Sequence, residues 1–249
     1  MLPKAQRTGT YLTAPCSSVC NQDGFTAMSA LADFLEIVPQ LLDGLLVTVS
    51  ICVLATLGAL VLSIPLVAAR RSTRRRFLYP ATLFITLMRG LPIVILIFLF
   101  YFGFPAVLGL GRMSAFWIGV LVLSLNGSAF ISEALRGAIS RIPDGQWEAC
   151  HALGLTRFQT WRLVLTPQFI PIALPSLTGE LGFLIKASPA LSLITIVDLT
   201  RRAQQVSIQT FDPLLPLLAA ALLYFLLLSA ISMLSRWLET HLEPVGRKP

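Results

Sequence analysis

Three ionisable side chains lie in stretches too apolar to hold them cheaply. Arg89 falls within the run 79–103, and Glu180 and Lys186 interrupt the apolar region 163–199. A charge deep in hydrocarbon is costly and ordinarily faces a cavity or a partner, so each is a candidate for function. The guanidinium fork of Arg89 suits a bidentate grip on a substrate carboxylate. A structural pair with Glu180, or with a second subunit, is equally open. Glu180 and Lys186 are six residues apart and so point about 120° apart on a regular helix, too far round to neutralise each other. Glu133 and Arg136, at a spacing of three, are placed to pair. Asp198 with Arg201 and Arg202 reads as a solvated charge cluster. Metal and nucleotide chemistry lack their residues. Cys16, Cys20, Cys52 and Cys150 fit neither a disulfide framework nor, with His151 and His241, a metal-ligand spacing. Cys16 and Cys20 could still pair with each other. No G-x-x-x-x-G-K-[ST] phosphate loop is present, and none of the three lysines follows a glycine.

The elements that must position these groups follow from composition. Of 249 residues, 55% are hydrophobic and 12% charged, against about a quarter charged in a soluble domain. The stretches 44–69, 90–111, 113–132 and 213–235 each hold about 20 or more residues, the length that spans a bilayer, without a single charge. The expectation is an all-α membrane protein with five spans near 44–69, 79–103, 114–135, 168–197 and 213–235. Residues 31–43, with Asp33, Glu36 and Asp43 among leucines, read as a separate amphipathic segment at the outer interface. Residues 1–30 read as a disordered extension, and 1–27 as an upstream addition from a mis-called start codon, because Met28 opens a more plausible beginning. They have no charged start followed by an apolar stretch, as a signal peptide would. Residues 31–240 form one membrane domain, and 241–249 a cytoplasmic tail.

The net charge of +7 is a matter of topology rather than of nucleic-acid binding. One side of the five-span arrangement carries Arg70, Arg71, Arg74, Arg75, Arg76, Arg136, Arg141, Arg157, Arg162, Arg236, Arg247 and Lys248. The other has Arg112, Arg201 and Arg202 near a span. Basic residues collect in cytoplasmic loops, so the N-terminus is expected outside and the C-terminus inside.

That orientation puts 136–167 in the cytoplasm, where "EACHALGLTRFQTWRLVLTP" is too charged for a span and too patterned for a plain connector. Pro143-Asp144-Gly145 makes a turn. Large apolar residues recur at Trp147, Cys150, Phe158, Trp161 and Leu165, with Gly154 among them. Glycine weakens one long helix, so two short helices joined at Gly154 are expected, with Pro167 opening the fourth span. Such a pair can rest on lipid or dock in a groove of another protein.

Glu148-Ala149-Cys150, three residues, Gly154, nine residues and Val164-Leu165-Thr166-Pro167 resemble the EAA loop of bacterial ABC-importer permeases, with Cys150 where that loop has alanine. "LMRGLPIVILIFLFYFGFP", "GSAFISEALRGAISRIPDGQWEA" and "IVDLTRRAQQ" resemble, in order, further stretches of the polar amino acid permease family. The resemblance covers about residues 28–238. It implies five spans in a bacterial inner membrane. It also implies a loop of coupling helices (Glu148, Ala149, Cys150, Gly154, Pro167) that seats on ATP-binding cassette subunits, and a translocation path near Arg89, Glu180 and Lys186. The implied partners are a similar permease chain in a homodimer or heterodimer, an extracytoplasmic substrate-binding protein and membrane lipid. ATP and Mg would reside on the ATPase, with no cofactor on this chain. One departure is Lys186-Ala187-Ser188-Pro189-Ala190 where the family commonly has Lys-Asp-Thr-Ser-Leu. It bears on whether this chain or a partner touches substrate. An ion-gradient transporter, expected to show inverted repeats, and a non-transporting scaffold are the rival functions.

Overall fold

The computed structural model describes residues 27–109 and 114–242. Cys16, Cys20, Arg112, Arg247 and Lys248, and with them the readings of the N-terminal extension and the extreme tail, lie outside these residues. The described chain folds as α1 (Ala27–Arg70), α2 (Arg75–Gly90), α3 (Ile93–Leu108), α4 (Ala115–Ile139), α5 (Asp144–Ala152), α6 (Arg157–Ile194), α7 (Leu199–Thr210) and α8 (Leu214–Leu242). No strand occurs among the described residues. Glu36–Arg70 of α1, α4, α6 and Leu214–His241 of α8 are each long and apolar enough to cross a membrane, and α2 with α3 forms a bent pair able to act as a fifth span.

Apolar pattern and small residues explain the packing. Against α4, α1 turns a strip of Ile51, Ala55 and Ala59, all buried. A Cβ on Gly58 would lie 2.5 Å from Ser124 Oγ, and one on Gly127 would lie 3.2 Å from Ala59 Cβ. In lipid the hydrophobic effect does not drive helices together, so close backbone approach at small residues must do so by contact. Leu96, Ile97, Val122, Leu123, Leu184 and Leu191 complete this core. A second core joins Ile37 and Leu41 of α1 to Leu199, Ala203 and Val206 of α7 and to Ala219 and Ala220 of α8. Large apolar side chains such as Leu46, Val61, Ile64 and Phe225 remain exposed, the surface of a chain solvated by lipid or by another subunit.

Three expectations are corrected. The segment 31–43 is no separate interfacial helix: it is continuous with α1, whose 44 residues pass through Pro39 and Pro65 unbroken. Ile37 and Leu41 hold it by packing on α7 and α8. The run 79–103 is no straight span either, since α2 and α3 meet at 109°. Leu91, pushed out of the helical region by the proline that follows it, is extended at φ −92°, ψ 137°. Pro92 has no N–H to give the Met88 carbonyl, and the side chain of Asn126 on α4 donates to it instead at 2.6 Å. The carbonyl that Pro92 orphans is therefore met by a side chain of α4. Finally, Pro167 does not begin a new helix after a second short one. The chain from Arg157 runs straight on into the fourth long helix. A wide-pitched π segment, Thr160–Leu165, lets it do so, with the Thr166 N–H reaching back to the Trp161 carbonyl just before the proline.

Candidate functional site

The turn between α5 and α6 is built from local rules. After Pro143 the chain enters α5, with Asp144 in the first turn, where the helix dipole favours an anion. At the other end the Gly154 N–H donates to the His151 carbonyl at 3.0 Å and the Leu155 N–H to the Cys150 carbonyl at 3.1 Å. This is the Schellman termination, which needs a left-handed residue between its two bonds. Gly154 supplies it at φ +69°. Two residues later Thr156 caps α6: its hydroxyl accepts from the Gln159 N–H while the Gln159 side chain accepts from the Thr156 N–H, a reciprocal capping box. The bend is thus fixed by hydrogen bonds on both sides of one glycine.

The two arms are pinned to each other by one face and open on the other. Cys150 and Leu165 are buried. Trp147 meets Trp161 edge-on at 5.8 Å, and Gln168 Nε2 donates to Gln146 Oε1 at 3.1 Å. Glu148, Ala149 and Gly154 are exposed, with Leu153 at 76% and Phe158 at 71% beside them. Exposed apolar patches rimmed by polar groups mark contacts with proteins or with membrane. Of the five residues expected in this loop, Glu148, Ala149 and Gly154 share the open surface. Cys150 faces inward, and Pro167 is exposed further along α6.

The structure brings Arg89 and Glu180 near each other but not together. The Arg89 guanidinium lies 5.2 Å from the ring centroid of Phe130, and Phe130 packs on Phe183 at 5.2 Å. Glu180, half-buried one turn before Phe183, feels the charge of Arg89 but is not ion-paired with it among the described residues. Lys186 is exposed further along the same helix. The cluster is thus a cation stacked on one of two packed aromatic rings, with a half-buried carboxylate close enough to feel its charge. Among the described residues no group of histidine, cysteine, aspartate or glutamate could hold a metal ion.

Glu133 pairs with Arg136 at 2.7 Å as the spacing required, and it also accepts from Arg70 of α1 at 3.2 Å. Asp198 needs correction, for it is 1% exposed rather than solvated. It caps α7 by accepting the Arg201 N–H at 2.9 Å, and Tyr224 Oη donates to its other oxygen at 3.4 Å. Burial pushes its carboxyl above the ordinary aspartate range, and these donors partly offset that. Arg202 turns to Asp43 at 3.3 Å instead. Sequence reasoning missed Asn126, Thr48 (whose hydroxyl accepts the Leu199 N–H at 3.0 Å) and Phe130. A lone Asn in an apolar run, facing a proline break elsewhere, was the available signal for the first.

Residues 59–244 match the family model described as binding-protein-dependent transport system inner membrane component. The chain is 35% identical, over 85% of its length and 97% of the relative's, to the arginine transport system permease protein ArtQ of Bacillus subtilis (strain 168). A solved amino acid ABC transporter with histidines superposes at a TM-score of 0.77, with 28% identity, 84% of this chain and 97% of the other covered. The MetNI methionine ABC transporter in an inward-facing conformation has the same fold, at a TM-score of 0.70, with 19% identity and 82% and 97% coverage.

Proposed function

The chain belongs to the family of binding-protein-dependent transport system inner membrane components, and from that premise we propose that it carries polar amino acids or related compounds as the membrane-spanning subunit of an ATP-driven importer. It is a transport subunit of the inner membrane and not an enzyme; ATP hydrolysis belongs to a separate subunit in such systems. One observation supports the coupling role above others: the Gly154 bend presents Glu148, Ala149, Leu153 and Phe158 outward on a hydrogen-bonded frame. Energy reaches this chain through that surface. The ATP-binding subunit seats on the bend, with Glu148 meeting a basic or amide group. Because α6 begins at the bend and ends at Ile194, movement of the bend is movement of a span.

The orientation follows from the arginines: the bend and the C-terminus lie in the cytoplasm, and α7 lies outside, where a substrate-binding protein would dock. The exposed apolar faces of α1 and α8 suit a second permease chain, identical or similar. Arg89 and Glu180 suit the two ends of a zwitterion, a carboxylate and an ammonium, with the packed rings of Phe130 and Phe183 beside Arg89. Lys186 adds a cation along the same helix.

The test is reconstitution of this chain with its ATPase, binding protein and partner permease in liposomes, followed by uptake of a labelled amino-acid panel. Uptake should require ATP. Glu148→Arg should fold, lose association with the ATPase and lose uptake. Uptake without ATP, or a Glu148→Arg protein that docks and transports as wild type, would overturn the coupling reading and reinstate a gradient-driven transporter.

A further inference from the structure

We infer that the cleft where α1, α4 and α5 meet binds the phosphate headgroup of an anionic phospholipid; the leaflet assignment rests on the orientation proposed above. The cleft has a volume of about 460 Å³, and its walls include Arg70, Arg71, Arg136, Ser140, Asp144 and Trp147. That volume is in the range that holds small ligands.

Its electrostatics favour an anion. The Glu133 carboxylate is shared between Arg70 and Arg136, which fixes two guanidiniums at the rim. Among the described residues Arg71 has no carboxylate within ion-pair distance; its guanidinium lies 6.0 Å from the Trp147 ring centroid. Arg74 follows in the connector, Arg75 and Arg76 open α2, and the chain has no acidic residue between Asp43 and Glu133. Asp144 alone opposes this field from within the cleft. Arginine grips phosphate oxygens in a planar fork, and basic pockets between spans on the cytoplasmic side recognise lipid headgroups.

The surroundings point to a lipid rather than a soluble phosphate. Phe77 and Tyr79 are exposed one turn into α2, with Arg76 stacked 4.9 Å from the Phe77 ring centroid. Aromatic and basic side chains together mark the headgroup level. Further along α2, Leu83 and Leu87 are exposed, apolar surface for acyl chains leading away from the arginines.

The experiment uses the permease complex purified in neutral detergent and short-chain phosphatidylglycerol or phosphatidylcholine of equal chain length, with bound lipid read by native mass spectrometry. Phosphatidylglycerol should bind roughly 30-fold tighter, the value of two basic residues at an anionic surface. Arg71→Gln should weaken it about fivefold, one residue's share, while Arg71→Lys keeps most of the preference. Arg236→Gln, at an exposed position on α8, should match wild type. Equal binding of the two lipids, or equal loss in Arg236→Gln, reduces the effect to diffuse charge and overturns the site. Glycerol phosphate binding as well as the lipid makes the ligand a soluble anion. Phosphatidylglycerol bound by the permease alone but excluded once the ATP-binding subunits dock gives the cleft to the ATPase. Uptake by the wild-type complex is followed in parallel: no phosphatidylglycerol preference with normal uptake refutes the cleft alone, and a lipid preference without ATP-driven uptake refutes the function alone.

Discussion

Replacing Gly154 by alanine separates the geometry of the bend from its chemistry. No atom lies within 4 Å of where a Cβ would stand, so the substitution introduces no clash. What it introduces is a side chain at φ +69°, which costs roughly 1–2 kcal/mol for an L-residue. The bend can escape that strain by giving up the bonds from Gly154 to His151 and from Leu155 to Cys150. A partner that requires the native bend then sees only the fraction of molecules that keep it, so its apparent affinity falls by that fraction. The expected loss is about 5- to 30-fold in association of the ATP-binding subunit, measured by titrating it against permease in nanodiscs. ATP-dependent uptake should fall in step at limiting ATPase. Thermal stability should hardly move, because the bend lies outside the packed spans. Gly154→Asn should lose less, since asparagine tolerates this conformation better. Gly145, inside α5 and equally open but without a positive φ, is the control. Gly145→Ala should be neutral or slightly stabilising, because alanine suits a helix better than glycine. If Gly154→Ala docks as wild type, or Gly145→Ala loses as much, the bend is not what the ATPase reads.

Other outcomes follow from the packing. Asn126→Leu leaves the half-buried Met88 carbonyl without its donor and should cost about 1 kcal/mol in thermal melts. Adding Pro92→Ala restores an N–H and should recover part of it; strict additivity would refute the link between the two sites. Gly58→Ala should destabilise by forcing α1 off Ser124, and Ser124→Gly should rescue it; no rescue would mean another contact sets that spacing. Asp198 supplies a pH test. Its native carboxyl holds a proton more readily than the unfolded chain, whose ordinary value is 3.8. Stability should therefore decline as pH rises from 3.8 through the raised native value, and stay level below it. Asp198→Asn should flatten that slope, and an unchanged slope would place its origin elsewhere.

The helices were legible because lipid imposes a simple length and polarity rule, and the loop because a glycine and a capping threonine act locally. Runs such as 213–235 could hardly have been anything else. The errors arose wherever a distant residue decided the outcome. Pro92 announces a break, but only Asn126, 34 residues later, shows how its orphaned carbonyl is satisfied. Asp198 beside two arginines looks solvated until Thr48 and Tyr224, from two other helices, close over it. Residues 31–43 look interfacial until α7 and α8 supply the apolar wall that makes them part of α1. In the same way Arg89 and Glu180 were readable as charges, but the rings of Phe130 and Phe183 beside Arg89 were not.

The 38 residues from Arg157 to Ile194 make a rod of about 57 Å at 1.5 Å per residue. Pivoted at its middle, such a rod is a lever of equal arms. A rotation of about 15°, the size of known subunit rotations, carries each end about 7 Å, and in opposite directions. Displacement applied at the bend therefore reappears at the far tip with its sign reversed, in one stroke and with no relay of contacts between. Pro171 and Pro175 lie towards the middle of the shaft, and the π segment with Pro167 sits at the driven end. There a few degrees of give would take up slack in the joint while the rest of the shaft turns as one piece.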